Sequence, residues 1–592
     1  MMYIWLAVLV GVVCCAGAVY AFGDSHKESN IHATSNDSQR IEEALPPHDV
    51  LPIPTADIAK KQLSNGMTIL ACRMGSAPKV LVQIGYDVGS SIEGDGERGL
   101  AHLLEHMIFK GTLKLSEGDI DAIARKYGAE HNAFTSTDLT SYYFEADKNN
   151  WRPFLLVLAD CMRNVRFDEQ HLASEIKAVI QELRKYSDSY WDEIWQHVFA
   201  TVFPDKHPYH HPVIGYKEDL ADINSARLKA FYDKYYQPSR AVLCIVGDID
   251  PQEAIAAAEE QFAGIPSGGS DATPPFIPMP QPLKSTNVTI YRELPHEQIA
   301  LFWHVPGRRH DVAPIAEAVQ YVLGTGEASR LNIRLVDELK IAASVGVSVE
   351  ECAAEGLFLI GIEPKEGQRD ACIAAAREVL KELVRDGVNE RELYKMVKHR
   401  QRMHMQWRFD LQHFAYNWLD SFFSTRDETA LLVEPNRYAT VTSAQVQEYA
   451  GTFLASEAGH CVIVAPLAEK QLALWHEQLA ANEAYYEELL AHHQRTAPLE
   501  EPRYVHTLPS PTSLQFTFPK PTRIARVLND SLTVISYQSK NTPLVSAALM
   551  FKDAAYFTRA KEGLAIDLMM GLLQEQNQTM NKEQIVDLFD LH

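Results

Sequence analysis

The stretches "NGMTILACR" (65–73) and "KVLVQIGYDVG" (79–89) are rich in β-branched residues and bounded by glycines, and they predict strands. Helical spacing of apolar residues takes over at about 98–110 and again at 116–127. "NAFTS" and "TSYYFEAD" then predict two further strands joined by a short polar turn. Long helical patterns occupy about 150–163 and 168–187, "RAVLCIVGDID" returns to strand, and a helix from about 251 closes the unit. Strands adjacent in sequence, mixed with helices, predict an α+β fold in which helices pack on a largely antiparallel sheet.

The Gly- and Pro-rich stretch "GIPSGGSDATPPFIPMPQP" (264–282) marks a boundary. A second unit of similar flavour runs from "VTIYRELPHEQIALFWHVPG" to "GHCVIVAPL", followed by a charged helical stretch and the proline-bearing "TAPLEEPRYVHTLPSPTS". Beyond it the first unit begins again. "LSNGMTIL" (63–70) returns as "LNDSLTVI" (528–535), and "GLAHLLEHM" (99–107) returns as "GLAIDLMMG" (563–571). In the copy His102, Glu105 and His106 become Ile566, Met569 and Met570, which indicates a duplicated module with its chemistry kept in one copy and lost in the other. The copy reaches His592 after about a third of the first unit's length, so the chain reads as truncated relative to its own repeat.

A chain of 592 residues is too long for one core, and three or more domains are expected. The net charge is −23, with no Lys/Arg-rich block to track phosphates, which argues against nucleic acid as a partner. Such a balance favours basic or neutral peptides over anionic ligands, although acidity of this kind also serves solubility alone. Residues 1–22 form an uncharged apolar run, read as an export signal or an uncleaved membrane anchor, and 23–54 are a polar leader. The protein is therefore expected to be exported, periplasmic or secreted, touching a membrane only through that segment. Cys14 and Cys15 lie inside that run; the other six cysteines are scattered in mostly apolar contexts and never form CxxC, the pattern of buried free thiols.

Within "GLAHLLEHMIFKGT" (99–112), Leu100, Leu103, Leu104, Met107 and Ile108 make one apolar stripe, and His102, Glu105 and His106 fall together on the opposite face. Imidazoles at i and i+4 can reach one ion, but catalytic zinc usually wants a third protein ligand. Glu182 is a candidate, 76 residues after His106 on the helical pattern "SEIKAVIQELRKY", with Glu175 seven residues earlier on the same face. Glu105 would then be free to act as a base on an activated water. A solvated helix face bearing the same residues remains the other reading of the motif. The cluster His207, His210 and His211 in "HPYHHPVIG" is read as loop packing, and His492 and His493 as solvated.

"VGSSIEGDGERGLAHLLEHMIFKGT", "HNAFTSTDLTSYYFEA", "SEIKAVIQE", "HPVIG" and "YYQPSRAVLCIVGDID" together resemble the pitrilysin and insulysin family. These are inverzincin metallopeptidases and include the mitochondrial processing peptidases. The resemblance implies a catalytic domain at 55–265, a linker at 266–285, a second, non-catalytic domain at 286–470, a helical and Pro-containing linker at 471–510, and a truncated third, inactive-type domain at 511–592. It implies a pitrilysin-like half clamshell, one Zn2+ per chain held by His102, His106 and Glu182, and Glu105 as general base. Glu175 takes the family's additional acidic position, where a role orienting the ligands fits. Asn132 and Ala133 match the strand that binds substrate backbone, a role suited to an edge strand with unpaired amides. The expected activity is that of a zinc-dependent metalloendopeptidase or oligopeptidase acting on extended peptides. The alternative is a non-enzymatic or partner-dependent peptide-binding fragment of a longer peptidase, because the half that would close the chamber is absent from the sequence.

Overall fold

The stretches TILACR, KVLVQIGY and AVLCIVG of the first unit are apolar on both sides, so the sheet they build must be covered twice. In the computed structural model the described residues are 57–75, 77–187, 190–268, 285–454, 459–498, 510–514, 520, 523–527 and 532–536. The apolar run 1–22, the polar leader, most of the 266–285 linker and the helix copy at 563–571 lie outside them.

The first unit contains β1 (Ile58–Gln62), β2 (Thr68–Arg73), β3 (Lys79–Tyr86), α1 (Leu100–Ile108), α2 (Asp119–Tyr127), β4 (Glu130–Thr135) and β5 (Thr140–Asp147). It continues with α3 (Arg152–Arg163), α4 (Glu169–Ser187), α5 (Tyr190–Val202), α6 (Lys217–Leu220), α7 (Ser225–Tyr235), β6 (Ala241–Gly247) and α8 (Pro251–Phe262). Its sheet runs β1-β2-β6-β3-β5-β4, antiparallel except for β2 beside β6. Strand β4 is an edge.

The second unit contains β7 (Asn287–Arg292), β8 (Gln298–Pro306), α9 (Ala313–Gly324), β9 (Ala342–Glu351), β10 (Glu355–Pro364), α10 (Arg369–Asp386) and α11 (Glu390–Trp407). Then follow α12 (Leu411–Thr425), α13 (Ala430–Tyr438), α14 (Ser443–Phe453) and β11 (His460–Pro466). Its sheet, β7-β11-β8-β10-β9, has one parallel pair, β7 with β11. The expected class, helices on largely antiparallel sheets, is what the chain adopts.

Alternation along the strands sorts the two faces of the first sheet. Ile69, Ala71, Val80, Val82, Ile84, Leu243 and Ile245 join the core formed with the unit's own helices. Leu70, Cys72, Leu81, Val242, Cys244 and Val246 point the other way, where α12 of the second unit covers them with Phe414, Trp418, Leu419 and Phe422. The exchange is reciprocal. Ile194, Val198 and Val202 of α5 pack on Ala300, Phe302, Leu357, Leu359, Val462 and Val464 of the second sheet. Neither periodicity nor the boundary at 264–282 signalled this exchange, because each helix pattern reports a buried stripe but not which sheet receives it.

Helix α15 (Glu469–His492) lies along the first unit. Tyr486 and Leu489 enter its core, Glu483 and Glu487 pair with Arg184 at 2.9 and 2.8 Å, and Arg495 grips Glu117 through two bonds of 2.7 and 2.9 Å. His493, expected to be solvated, is instead half-buried here, and burial lowers its pKa. Beyond it, β12 (Arg523–Val527) and β13 (Leu532–Ser536) form an antiparallel hairpin. This pair falls where the sequence repeat places a copy of β1 and β2. All six scattered cysteines are buried free thiols.

Trp418 is fully buried and donates its indole N–H to Glu428 O at 2.8 Å. Trp418→Ala is expected to lower stability by about 3–5 kcal/mol by opening a cavity under the first sheet. A fall in the urea midpoint checks this; an unchanged midpoint would contradict the exchange of helices.

Candidate metal centre

Helix α1 buries Leu100, Ala101, Leu103, Leu104, Met107 and Ile108, which leaves His102, Glu105 and His106 on its remaining face. Helix α4 packs across it, burying Leu172, Ile176, Val179 and Ile180 in the same core. Its other face presents Glu175 and Glu182, seven residues apart and so nearly in line along the helix. His102 Nε2 lies 3.4 Å from Glu182 Oε2, and His106 Nε2 lies 3.8 Å from Glu182 Oε1. One ligand atom from each of His102, His106 and Glu182 falls within 4.8 Å of the others. Among the described residues this is the one cluster of histidine, cysteine or carboxylate groups with that spacing.

The surroundings fit a cation held by two imidazole nitrogens and a carboxylate, the donor set zinc accepts. Burial, aided by the neighbouring His106, depresses the His102 imidazole to about 3, so the ring is neutral with a lone pair to offer. Burial also acts to lower the His106 pKa, but the hydrogen bond to Glu175 and the charges of Glu105, Glu182 and Glu175 outweigh it and raise it. His106 Nδ1 stands 3.2 Å from Glu175 Oε2, an arrangement that puts the proton on Nδ1 and frees Nε2. Glu175 also takes Lys110 Nζ at 2.8 Å. Burial would raise its pKa, but these two partners hold it below the ordinary value. The Glu182 side chain, at 41% exposure, is the open side of the cluster.

Glu105 stands beside the ligands. Burial pushes its pKa up, opposed by the Thr135 hydroxyl, which donates to Oε2 at 2.6 Å, and by His106. Sequence reasoning missed Thr135. The available signal was alternation along β4, which puts Thr135 on the same side as Ala133 and His131.

Asn132 and Ala133 lie on β4, paired with Tyr143 and Tyr142 of β5 on one side and, among the described residues, with no strand on the other. The Ala133 N–H donates to Asn132 Oδ1 at 2.9 Å, so the free edge partly satisfies itself. Asn132 is on the α12 side of the strand and Ala133 on the α1 side. His207, His210 and His211 are loop packing: His207 stacks on Phe203, His210 Nδ1 lies 2.7 Å from Phe203 O, and His211 is buried.

Two family models match the chain: insulinase (peptidase family M16) over residues 69–214, and the peptidase M16 inactive domain over 222–399. The zinc protease PqqE of Helicobacter pylori is 27% identical over 300 residues, covering 50% of this chain and 68% of that protein. A solved protease from Helicobacter pylori superposes with a TM-score of 0.65 at 24% identity, over 69% of this chain and 99% of its own. The periplasmic protease PqqL of Escherichia coli superposes at 0.60 and 18% identity, over 83% of this chain but 55% of its own.

Zinc titration of the full chain is expected to fill one tight site. His102→Ala should abolish it, and Glu175→Gln should weaken it roughly 10–100-fold through the lost support of His106. Competition with a chromophoric chelator reads both. Full affinity in His102→Ala would place the metal elsewhere.

Proposed function

The chain belongs to the insulinase, or M16, peptidase family, and from that premise we propose that it is a zinc metalloendopeptidase or oligopeptidase hydrolysing extended peptides. The observation that carries the proposal is the convergence of His102 and His106 from α1 with Glu182 from α4, with Glu105 alongside but outside the ligand set. The named zinc proteases among its relatives support the same class.

His102, His106 and Glu182 would hold one Zn2+, which when bound supplies Lewis acidity at the scissile carbonyl. Glu105 is the general base: it takes a proton from the attacking water and returns it to the leaving amine. Its burial raises its proton affinity towards that task, and the Thr135 hydroxyl fixes Oε2 so that the carboxylate keeps one orientation. Glu175 keeps the His106 proton on Nδ1. The free edge of β4 offers the Ala133 backbone to an extended peptide, which would pair as an added strand whatever its side chains, while Asn132, whose own backbone faces Tyr143 of β5, would contribute its side chain. Pairing there requires the Asn132 side chain to release the Ala133 N–H.

The net charge of −23 supports basic peptides as preferred substrates. The apolar run at 1–22 supports export, and the Escherichia coli relative is itself a periplasmic protease. Among the described residues no helix is long and apolar enough to cross a membrane. A second reading, a partner-dependent or binding-only form, is favoured by one observation: the chain spans 55% of that relative. On this reading a further half, in the same chain or a partner, would complete the chamber.

Glu105→Gln is expected to lower cleavage of a quenched peptide by about 10²–10⁴-fold while leaving zinc content unchanged. Chelator should silence the wild type and added zinc restore it. Hydrolysis by Glu105→Gln at the wild-type rate would refute the base assignment, and a zinc-loaded wild type that binds peptide without cutting it would favour the second reading.

A further inference from the structure

Helix α1 starts at Gly99 in the left-handed region (φ 94°), and no side chain of its own first turn caps it. A Cβ at Gly99 would stand 2.7 Å from Ile214 O, so the close approach of the 207–215 loop excludes Ser, Thr or Asp, the usual caps. The free N–H groups of the helix are met from outside. Glu93 Oε2 accepts from Gly99 N at 2.8 Å, and Oε1 accepts from Ala101 N at 2.7 Å, the residue just before His102. The Glu93 side chain is 0% exposed, and both its oxygens are committed to the positive end of the helix that carries the ligands.

The same short turn is fastened at its other end to the substrate strand. Ser90 N donates to Ser136 O at 3.2 Å, Ser91 N donates to Thr137 O at 2.8 Å, and the Ser91 hydroxyl donates to Asp138 Oδ1 at 3.1 Å. Ser136 directly follows Thr135, whose hydroxyl holds Glu105. Residues 90–93 therefore tie the start of α1 to the end of β4, the two elements that must stay in register for base, ligands and peptide to meet.

We propose that Glu93 is a positioning residue for the metal centre, holding the start of α1 so that His102 and Glu105 keep their places against Glu182 and Thr135. The proposal rests on the zinc reading of the site. It differs from ordinary helix capping in what it predicts: a capping defect lowers stability, whereas a positioning defect lowers metal affinity in a chain that is still folded.

Glu93→Gln keeps the size but replaces one acceptor with a donor facing an N–H. Zinc affinity of the full chain, measured by chelator competition, is expected to fall about 10–100-fold, with far-UV circular dichroism of the zinc-free chain unchanged. At saturating zinc, kcat should remain below wild type while KM moves little. Glu93→Asp keeps the charge but is too short to reach both amides, and carries the same expectation if Glu93→Gln does not fold. Wild-type zinc affinity and kcat in either folded variant overturn the proposal, as does loss of fold in both, which would make the role structural. A wild-type chain that takes up no zinc would defeat the reading of the site, and this proposal with it.

Discussion

Helix α1 is nine residues long and six of them are buried, so apolar packing against the sheet and α4 fixes its rotation before any polar group is considered. That packing has two consequences. It leaves one narrow stripe, His102, Glu105 and His106, facing the stripe of α4 that carries Glu175 and Glu182. It also removes those groups from water, where imidazoles and carboxylates would otherwise keep their ordinary pKa values.

Removal from water divides the labour among similar side chains. His102 is kept neutral by burial, while His106, with the same chemistry one turn away, is surrounded by carboxylates and binds its proton more tightly. Glu105 and Glu175 diverge in the same manner. Glu105 has one hydroxyl donor and is pushed up, whereas Glu175 has an imidazole and an ammonium and is pulled down. Two carboxylates driven in opposite directions within one cluster is the arrangement that the proposed split between base and supporting group would need.

Much of this was legible in the sequence because it is written in local periodicity. The 3.6-residue repeat put His102, Glu105 and His106 on one face, and the seven-residue step from Glu175 to Glu182 placed both on one side of a second helix. That Glu182 approaches the histidines is a tertiary fact; the sequence offered it as a candidate, and only the crossing of α1 and α4 brings it near. Thr135 and Glu93 were invisible for the same reason. Each acts on α1 from a separate segment, Thr135 through one hydrogen bond and Glu93 through two, and alternation along β4 gives the side Thr135 faces but not its partner. Strand β1 was missed because its residues, Ile58 to Gln62, include two lysines and only one buried side chain.

The exchange of α5 and α12 between the sheets bears on how the molecule is made. One face of the first sheet stays bare until the ribosome has produced α12, some 180 residues after β6 is complete. Vectorial synthesis, N-terminal part first, thus cannot deliver a finished first unit ahead of the rest. Under the export proposed for this chain, that delay would be a gain, since a transport channel accepts threads more readily than globules.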